Sequence, residues 1–287
     1  MLRPIDSQSL QMPFIKKVSR SGMAYTCFGN GPPLVLIHGL GMKAESWGLQ
    51  VDTLSASNRI YIVDLPGHGE SACFGKLSEG LNQYTRLLVD FIDELVAEPV
   101  IVMGHSMGAL IALDFACHFS SQCRAFVALN IVYQRDAQAS ETVRSRLRLI
   151  ESQDTDQLFL NTLTRWFGDK PEGVLSILSA VCATWLKNTD RRGYADAYSV
   201  FALDVGLPKE SISSLEMPSF FITGSEDKNS KPSMSKQLAN MVTDSWCSIV
   251  DNAGHMLQLT HPAELNEYLL AFVKHCDSES IKGKVKI

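Results

Sequence analysis

The fold of this chain can be predicted from one stretch, VIVMGHSMGALIALDFACHF, which runs from Val100 to Phe119. Val100 to Met103 is an apolar run typical of a strand that is buried on both faces. Met107 to Phe119 has a helical pattern. Between them, Gly104-His-Ser-Met-Gly108 is a G-x-S-x-G motif in the strand–turn–helix context of a nucleophile elbow. So sharp a turn strains the serine backbone and needs small neighbours, which makes Ser106 the candidate nucleophile.

Other short apolar runs alternate with helical stretches, as in a mostly parallel sheet with helices on both faces. An opening hairpin is predicted on either side of Ser21-Gly22. The further strand candidates are Leu34 to Ile37, Arg59 to Val63, Ala125 to Leu129, Phe220 to Thr223 and Trp246 to Val250. Together with the run at Val100, these segments predict an α/β fold with an eight-stranded, mostly parallel sheet.

A long helical insertion interrupts this alternation. From about Ile131 to Ser214 no strand-like run is found, and apolar residues recur at helical spacing. The segment is too long for a loop, so we expect a cap over one end of the sheet. The predicted organisation is therefore a core of residues 1–130 and 215–276, a helical cap of residues 131–214 and a flexible polar tail of residues 277–287.

A serine hydroxyl is a poor nucleophile until a base takes its proton. Of the seven histidines, only His255 lies on a loop directly after a late strand, where Gly254 leaves the backbone free to turn. The others lie at a strand end, in a turn, beside the nucleophile, or in or beside a helix: His38, His68, His105, His118, His261 and His275. His255 is therefore the candidate general base.

The imidazole needs a carboxylate that fixes its tautomer and stabilises its protonated form. Asp227 ends the loop Gly224-Ser-Glu-Asp after the last strand but one, and it is the candidate acid. Glu226 is the alternative. Asp251 is closer to His255 in sequence but borders a strand instead of lying on a reaching loop. The resulting order of Ser, Asp and His along the chain is the one that the elbow predicts.

An oxyanion hole needs two backbone N–H groups directed at the developing negative charge. Met107, directly after the nucleophile, supplies one candidate. Leu40, in the loop His38-Gly-Leu-Gly41 after a buried strand, supplies the other, although a plain strand-ending turn is an alternative for this loop. His38 itself is expected to be structural. The turn Asp64 to Ser71 lacks the glycine spacing of a phosphate-binding loop and is interpreted as scaffold.

The composition excludes several classes of partner. The net charge of −5 offers no basic field for a nucleic acid, and no segment approaches the length of a membrane span. The seven cysteines are scattered, without C-x-x-C or zinc-ligand spacing, and Met1 to Pro13 does not resemble a signal peptide. We therefore expect a cytoplasmic protein with no cofactor or metal, acting on a small molecule. Arg135, Arg191 and Arg192 could bind a substrate carboxylate, but solvated surface arginines are the simpler interpretation.

These segments, in this order, resemble the α/β-hydrolase superfamily from about Phe14 to Lys274. The residues that carry the resemblance are His38-Gly39, Asp64 to Ser71, Gly104 to Gly108, Gly224 to Asp227 and Gly254-His255. The helical insertion is similar to that of 3-oxoadipate enol-lactonases, small carboxylesterases and meta-cleavage C–C hydrolases. The resemblance implies a Ser-Asp-His triad, no cofactor, and a small substrate bound between cap and sheet.

Departures from related families narrow the expected reaction. Haloalkane dehalogenases and epoxide hydrolases of this fold have an aspartate where this chain has Ser106. C–C hydrolases often have an aromatic residue where it has Met256. We therefore expect hydrolysis of a small carboxylic ester or lactone through an acyl-enzyme. C–C bond hydrolysis, perhydrolysis and acyl transfer stay open, because one triad serves them all. A slow-turnover ligand receptor is the alternative from another class.

Overall fold

The computed structural model describes residues 14–73, 80–151, 155–204 and 206–284. Eight strands form one sheet in the order β1-β2-β4-β3-β5-β6-β7-β8. Their bounds are β1 Lys17–Val18, β2 Ala24–Phe28, β3 Pro33–Ile37, β4 Arg59–Val63, β5 Val100–His105, β6 Cys123–Leu129, β7 Ser219–Gly224 and β8 Ser245–Val250. Each lies where the sequence predicts a strand, and the central strands β3, β5 and β7 are buried along their whole length, as their apolar runs predict.

The sheet is antiparallel at one edge and parallel elsewhere. Strand β2 pairs antiparallel with β1 and β4, and every pairing from β4 through β3 to β8 is parallel. The predicted eight-stranded, mostly parallel sheet is therefore confirmed. Parallel strands end at the same edge of a sheet, so the loops after β3, β5, β6, β7 and β8 meet there.

Helices cover both faces of the sheet. They are α1 Val51–Ser55, α2 Leu81–Leu95, α3 Met107–His118, α4 Ala137–Glu151, α5 Thr155–Phe167, α6 Gly173–Asn188, α7 Arg191–Leu203, α8 Lys209–Ser213, α9 Pro232–Ala239, α10 Leu257–Thr260 and α11 Pro262–Lys284, with 3-10 helices at Ala44–Gln50 and Ser120–Gln122. Strand β3 shows the layering: Val35 and Ile37 pack in one apolar cluster with α2 and α3, and Leu34 and Leu36 in another with α11.

The helices α4 to α8 lie between β6 and β7 in sequence, where the sequence predicts the insertion. A third apolar cluster joins α4 to α7 to the core, with Leu186 and Tyr194 from the insertion and Met42 and Met256 from core loops. The insertion also meets the turn after β4, since a side chain at Gly193 would overlap the backbone of Gly67. This contact gives the turn Asp64 to Ser71 a packing role.

The last helix is longer than the sequence predicts. A flexible tail is expected from Asp277, but α11 continues to Lys284, and residues 285–287 lie outside the described part of the chain. The helix is already nucleated and is packed on the core through Leu269 and Phe272. It can therefore extend through the polar residues after Asp277 without the cost of nucleating a new helix. Among the helices described, none is both long and apolar enough to cross a membrane.

Candidate active site

Ser106 occupies the sharp turn between β5 and α3, with φ 53° and ψ −112°. A positive φ is strained for a residue with a side chain, as the motif predicts. Both glycines of the motif are required by packing. A Cβ at Gly104 would overlap the backbone of Gly108, and one at Gly108 would overlap the carbonyl of Ile37. The turn leaves Ser106 at the sheet edge where the other loops meet.

A continuous chain of hydrogen bonds joins the three residues expected to form a triad. Nε2 of His255 lies 3.0 Å from Oγ of Ser106, and Nδ1 of His255 lies 2.8 Å from Oδ2 of Asp227. A carboxylate can only accept, so Nδ1 of a neutral His255 carries the proton and Nε2 can accept the serine proton. The structure thus brings together residues that are 149 and 28 positions apart in sequence.

Asp227 is held as a carboxylate by its neighbours. Burial by itself would raise its pKa, but the imidazole of His255 and several hydrogen bonds outweigh burial and hold the pKa below 3.8. The backbone N–H groups of Asn229 and Ser230 donate to Oδ1 at 2.8 and 3.0 Å, and the amide of Asn130 donates to Oδ2 at 2.7 Å. The acid therefore stays ionised beside the imidazole.

Asn130 is a residue of the site that the sequence analysis missed. It follows β6 directly, has φ 52° and is fully buried. The hydroxyl of Ser230 donates to its backbone carbonyl at 2.6 Å, which fixes the residue against the Asp227 loop. Its position at the carboxyl end of a parallel strand is a signal for such a role, because those strand ends meet at the sheet edge where Ser106 lies.

The alternative acids lie away from His255, and two other histidines of this region have structural partners. Glu226 and Asp251 are both exposed, and neither is hydrogen-bonded to His255 among the described residues. His105 is buried, which lowers its pKa to about 3, and its Nε2 contacts the backbone carbonyl of His255 at 2.8 Å. His38 accepts from the N–H of Leu65 through Nε2 at 2.9 Å, which agrees with the structural role expected for it.

The two candidate oxyanion donors lie in the loop after β3 and at the start of α3. Leu40 is at the centre of a turn that is closed by the N–H of Met42 bonding to the carbonyl of Gly39 at 3.1 Å, and it lines the cavity. His68 fixes this turn by accepting from the N–H of Gly41 at 3.0 Å. Met107 begins α3, where backbone N–H groups have no partner within the helix.

A cavity of about 330 Å³ lies between the sheet edge and the insertion. Ser106 and His255 line it from the core, and apolar or aromatic residues line it from the insertion: Val132, Val143, Trp166, Tyr194, Tyr198 and Phe201. The ring of Trp166 stacks on His255, with centroids 6.0 Å apart and planes 24° from parallel. The size suits a small molecule. Within the described ranges, no group of three or more His, Cys, Asp or Glu side chains could hold a metal ion.

Positive side chains also line this cavity. They are Arg135, Arg146, Arg165, Lys228 and Lys231, and the acidic residue among the lining residues is Asp136. Of the three arginines considered from sequence, Arg135 lines the cavity, whereas Arg191 and Arg192 are exposed. Arg146 and Arg165 were missed, although helical spacing places them with buried residues, three after Val143 and seven after Leu158.

Comparison with known proteins identifies the family. Residues 34–268 match the alpha/beta hydrolase family. The chain is 32% identical to (E)-2-((N-methylformamido)methylene)succinate hydrolase of Acinetobacter baylyi over 86% of its own length and 92% of that protein. It is 25% identical to 3-oxoadipate enol-lactonase 1 of the same organism, over 85% and 90%. The fold is similar to that of an enol-lactonase from Burkholderia xenovorans, with a TM-score of 0.76 at 22% identity over 88% and 96% of the two chains. The chain therefore belongs to the alpha/beta hydrolase family.

Proposed function

We propose that this hydrolase is a serine enzyme that cleaves a small carboxylic ester or lactone. The observation that carries the proposal is the hydrogen-bond chain from Ser106 through His255 to Asp227, with both donor–acceptor distances at or below 3.0 Å. Such a chain lets an imidazole accept the serine proton while a carboxylate stabilises the resulting imidazolium. The relative named 3-oxoadipate enol-lactonase supports a lactone or ester as the substrate class.

The proposed reaction has two steps. In the first, Nε2 of His255 takes the proton of Ser106 while Oγ attacks the carbonyl carbon, and the N–H groups of Leu40 and Met107 stabilise the oxyanion. His255 then protonates the leaving alkoxide oxygen as its bond to the carbonyl carbon breaks. In the second step, His255 activates a water molecule that hydrolyses the acyl-enzyme and releases the acid. Asp227 stays ionised throughout, in keeping with its lowered pKa.

The insertion is the proposed cap of this site. Its aromatic side chains form much of the cavity wall, and Trp166 stacks on the proposed base. Such a wall restricts water around the acyl-enzyme and strengthens the electrostatic interactions of the triad.

Hydrolysis of an amide-type carbonyl in a related compound is the second candidate. The relative with 32% identity is, by its name, a hydrolase of a methylene succinate that bears an N-methylformamido group. The same triad and oxyanion donors would serve this reaction, with an amine-type leaving group in place of the alcohol.

Covalent labelling tests the proposed nucleophile. We expect a fluorophosphonate probe to modify one peptide, the one that contains Ser106, because only an activated serine reacts readily with it. The Ser106→Ala variant should lose the label and lose about 10⁴-fold to 10⁶-fold in kcat on a short-chain chromogenic ester. Mass spectrometry and steady-state kinetics measure the two effects.

Ser278→Ala is the matched control, since this exposed serine lies on α11 and hydrogen-bonds to the backbone of His275. It should keep both the label and the turnover of the unchanged chain. Label on another residue, or a Ser106→Ala variant with near-complete activity, would rule out the proposed nucleophile. One slow turnover per chain, instead of steady turnover, would favour the ligand-receptor alternative.

A further inference from the structure

Two arginines hold unpaired positive charge at the wall of the cavity that contains Ser106. Arg146 on α4 and Arg165 on α5 both line it. Neither forms an ion pair with a carboxylate among the described residues. The chain as a whole carries a net charge of −5, so the positive charge of this cavity wall is local and opposite in sign to the net charge of the chain.

The guanidinium of Arg165 has few partners. Its Nη2 lies 3.4 Å from the hydroxyl of Thr162, a long contact, and its Nε is buried without a hydrogen-bond partner in the described part of the chain. Burial, followed by the charge of Arg146, lowers the pKa of Arg165 to about 10. The two like charges are therefore close enough to repel each other.

Such an arrangement is unfavourable unless an anion completes it. A partly buried cation without a counter-ion loses hydration, and at Arg165 the attraction of Asp227 does not outweigh this loss, since the pKa of the guanidinium is lowered. The neighbouring rings of Tyr194 and Tyr198 are buried, which reduces screening by water. Two guanidinium groups side by side match a carboxylate, whose two oxygens accept from several N–H donors at once.

Arg135, the third arginine of the cavity, is held by the protein itself. Its guanidinium carbon lies 4.1 Å from the centroid of the Phe201 ring, and its Nη1 contacts the backbone carbonyl of Asp204 at 3.5 Å. These contacts give it a packing role in the insertion, although its Nη2, like Nε of Arg165, is buried without a hydrogen-bond partner among the described residues. The argument for an anion therefore rests on Arg146 and Arg165.

Building on the proposed hydrolase function, we propose that Arg146 and Arg165 bind a carboxylate group of the substrate. The enzyme would then act on an ester or lactone whose acyl part carries a second acid group, in preference to a neutral ester. Arg165 lines the same cavity as Ser106 and as Trp166, which stacks on His255, so the second acid group would lie near the reacting carbonyl. The small cavity likewise favours a short acyl chain between the two groups.

A matched pair of esters tests this specificity. The 4-nitrophenyl monoester of glutaric acid and 4-nitrophenyl valerate have acyl chains of equal length, and they differ in a terminal carboxylate or methyl group. We expect kcat/KM to be higher for the glutarate ester. Arg146→Met and Arg165→Met should each lower the ratio of the two kcat/KM values by about 10-fold to 100-fold, as expected for a lost charge-assisted hydrogen bond.

Arg148→Met is the matched control. Arg148 lies on the same helix as Arg146 but is exposed and ion-paired with Glu141 at 2.7 Å, away from the cavity lining. Its loss removes the same charge and should leave the ratio unchanged. A wild-type preference for the valerate ester would overturn the proposal. Equal ratios of the two kcat/KM values for Arg165→Met and Arg148→Met would also overturn it. Circular dichroism checks that each variant is folded. If Arg165→Met is not folded, Arg165→Lys replaces it in the comparison, and this variant should keep part of the preference for the glutarate ester.

Direct binding separates this proposal from the proposed reaction. In the Ser106→Ala background, calorimetry should detect glutarate binding, with the affinity about 10-fold or more lower after Arg165→Met and unchanged after Arg148→Met. That result would support the carboxylate site even if neither ester were hydrolysed. Failure of glutarate to bind, or equal binding by all variants, would refute it even if ester hydrolysis by Ser106 were demonstrated.

Discussion

At the scale of single residues, the site depends on how Asp227 is held. Every oxygen of its carboxylate accepts a hydrogen bond, and the amide of Asn130 shares Oδ2 with the imidazole of His255. Asn130 can occupy its position because asparagine tolerates the left-handed backbone conformation better than most residues. Its amide fixes the carboxylate plane, and through it the orientation of the imidazole. We infer that Asn130 is a positioning residue for the proposed triad.

Replacing Asn130 by glycine tests this role. Asn130→Gly keeps the positive φ at no steric cost but removes the donor to Asp227, so we expect kcat to fall by about 10-fold or more. Steady-state kinetics on the chromogenic ester measures the effect. Asn252→Gly is the control, because Asn252 also has a positive φ but is exposed on the turn after β8. Equal kcat values for the two variants would show that the amide does not position the acid.

At the scale of elements, a buried ion-pair network attaches the edge hairpin to the sheet. Nζ of Lys16 lies 2.7 Å from Oδ2 of Asp64 and 3.1 Å from Oε2 of Glu45, and all three side chains are at most 5% exposed. Asp64 also accepts from the N–H of Ala44 at 2.7 Å. Burial disfavours the charged lysine, but the two carboxylates outweigh it and raise the pKa of Lys16. The network thus joins the residue before β1, the turn after β4 and the first 3-10 helix.

Replacing Lys16 should destabilise the protein more than replacing the adjacent Lys17. Lys16→Met leaves the buried carboxylate of Asp64 without its cation, whereas Glu45 keeps an ion pair with Lys43 at 3.1 Å, and we expect the free energy of unfolding to fall by about 3–5 kcal/mol. Lys17→Met removes the same charge from an exposed position in β1 and should change it by less than about 0.5 kcal/mol. Urea unfolding measures both variants. Similar losses for the two would show that the network adds no stability.

At the scale of the whole molecule, the cavity exists because the insertion packs against the core at short distance. Gly193 in α7 and Gly67 in the turn after β4 approach so closely that neither has room for a Cβ. Tyr194, next in sequence to Gly193, lines the cavity, and its ring lies close to Gly41 in the loop that carries Leu40. The contact between the two glycines therefore sets the distance between the cavity wall and a proposed oxyanion donor.

Adding one methyl group at this contact should change both stability and activity. Gly193→Ala keeps a helical backbone but pushes α7 from the turn, so we expect a loss of about 1–3 kcal/mol and a lower kcat/KM. Gly48→Ala is the control, since its methyl group would meet only Phe14, at 3.8 Å. Thermal unfolding and ester kinetics measure the two effects. A Gly193→Ala variant that matches Gly48→Ala in both would show that the close approach is not required.

Local sequence patterns were sufficient to predict the eight strands, and the same patterns led to the predictions of a helical cap and of Ser106 as the nucleophile. Short apolar runs bounded by turn residues are typical of strands buried on both faces, and the G-x-S-x-G motif between a strand and a helix is typical of a sharp turn. The topology of a parallel sheet then places the loops after β5, β7 and β8 at one edge. That is why His255 and Asp227 could be proposed from their places in the chain alone.

The partners of the triad and the chemistry of the cavity wall were decided only by the tertiary structure. Asn130 contacts Asp227 across 97 positions, and Lys16 contacts Asp64 across 48. Periodicity shows which face of a helix is buried, but the same face of α5 carries Leu158 into the apolar cluster and Arg165 into the cavity. Whether a residue on a buried face contacts apolar neighbours or an open cavity depends on how the elements pack. Local sequence patterns indicate which residues are buried, but they do not indicate which distant residues will lie beside them.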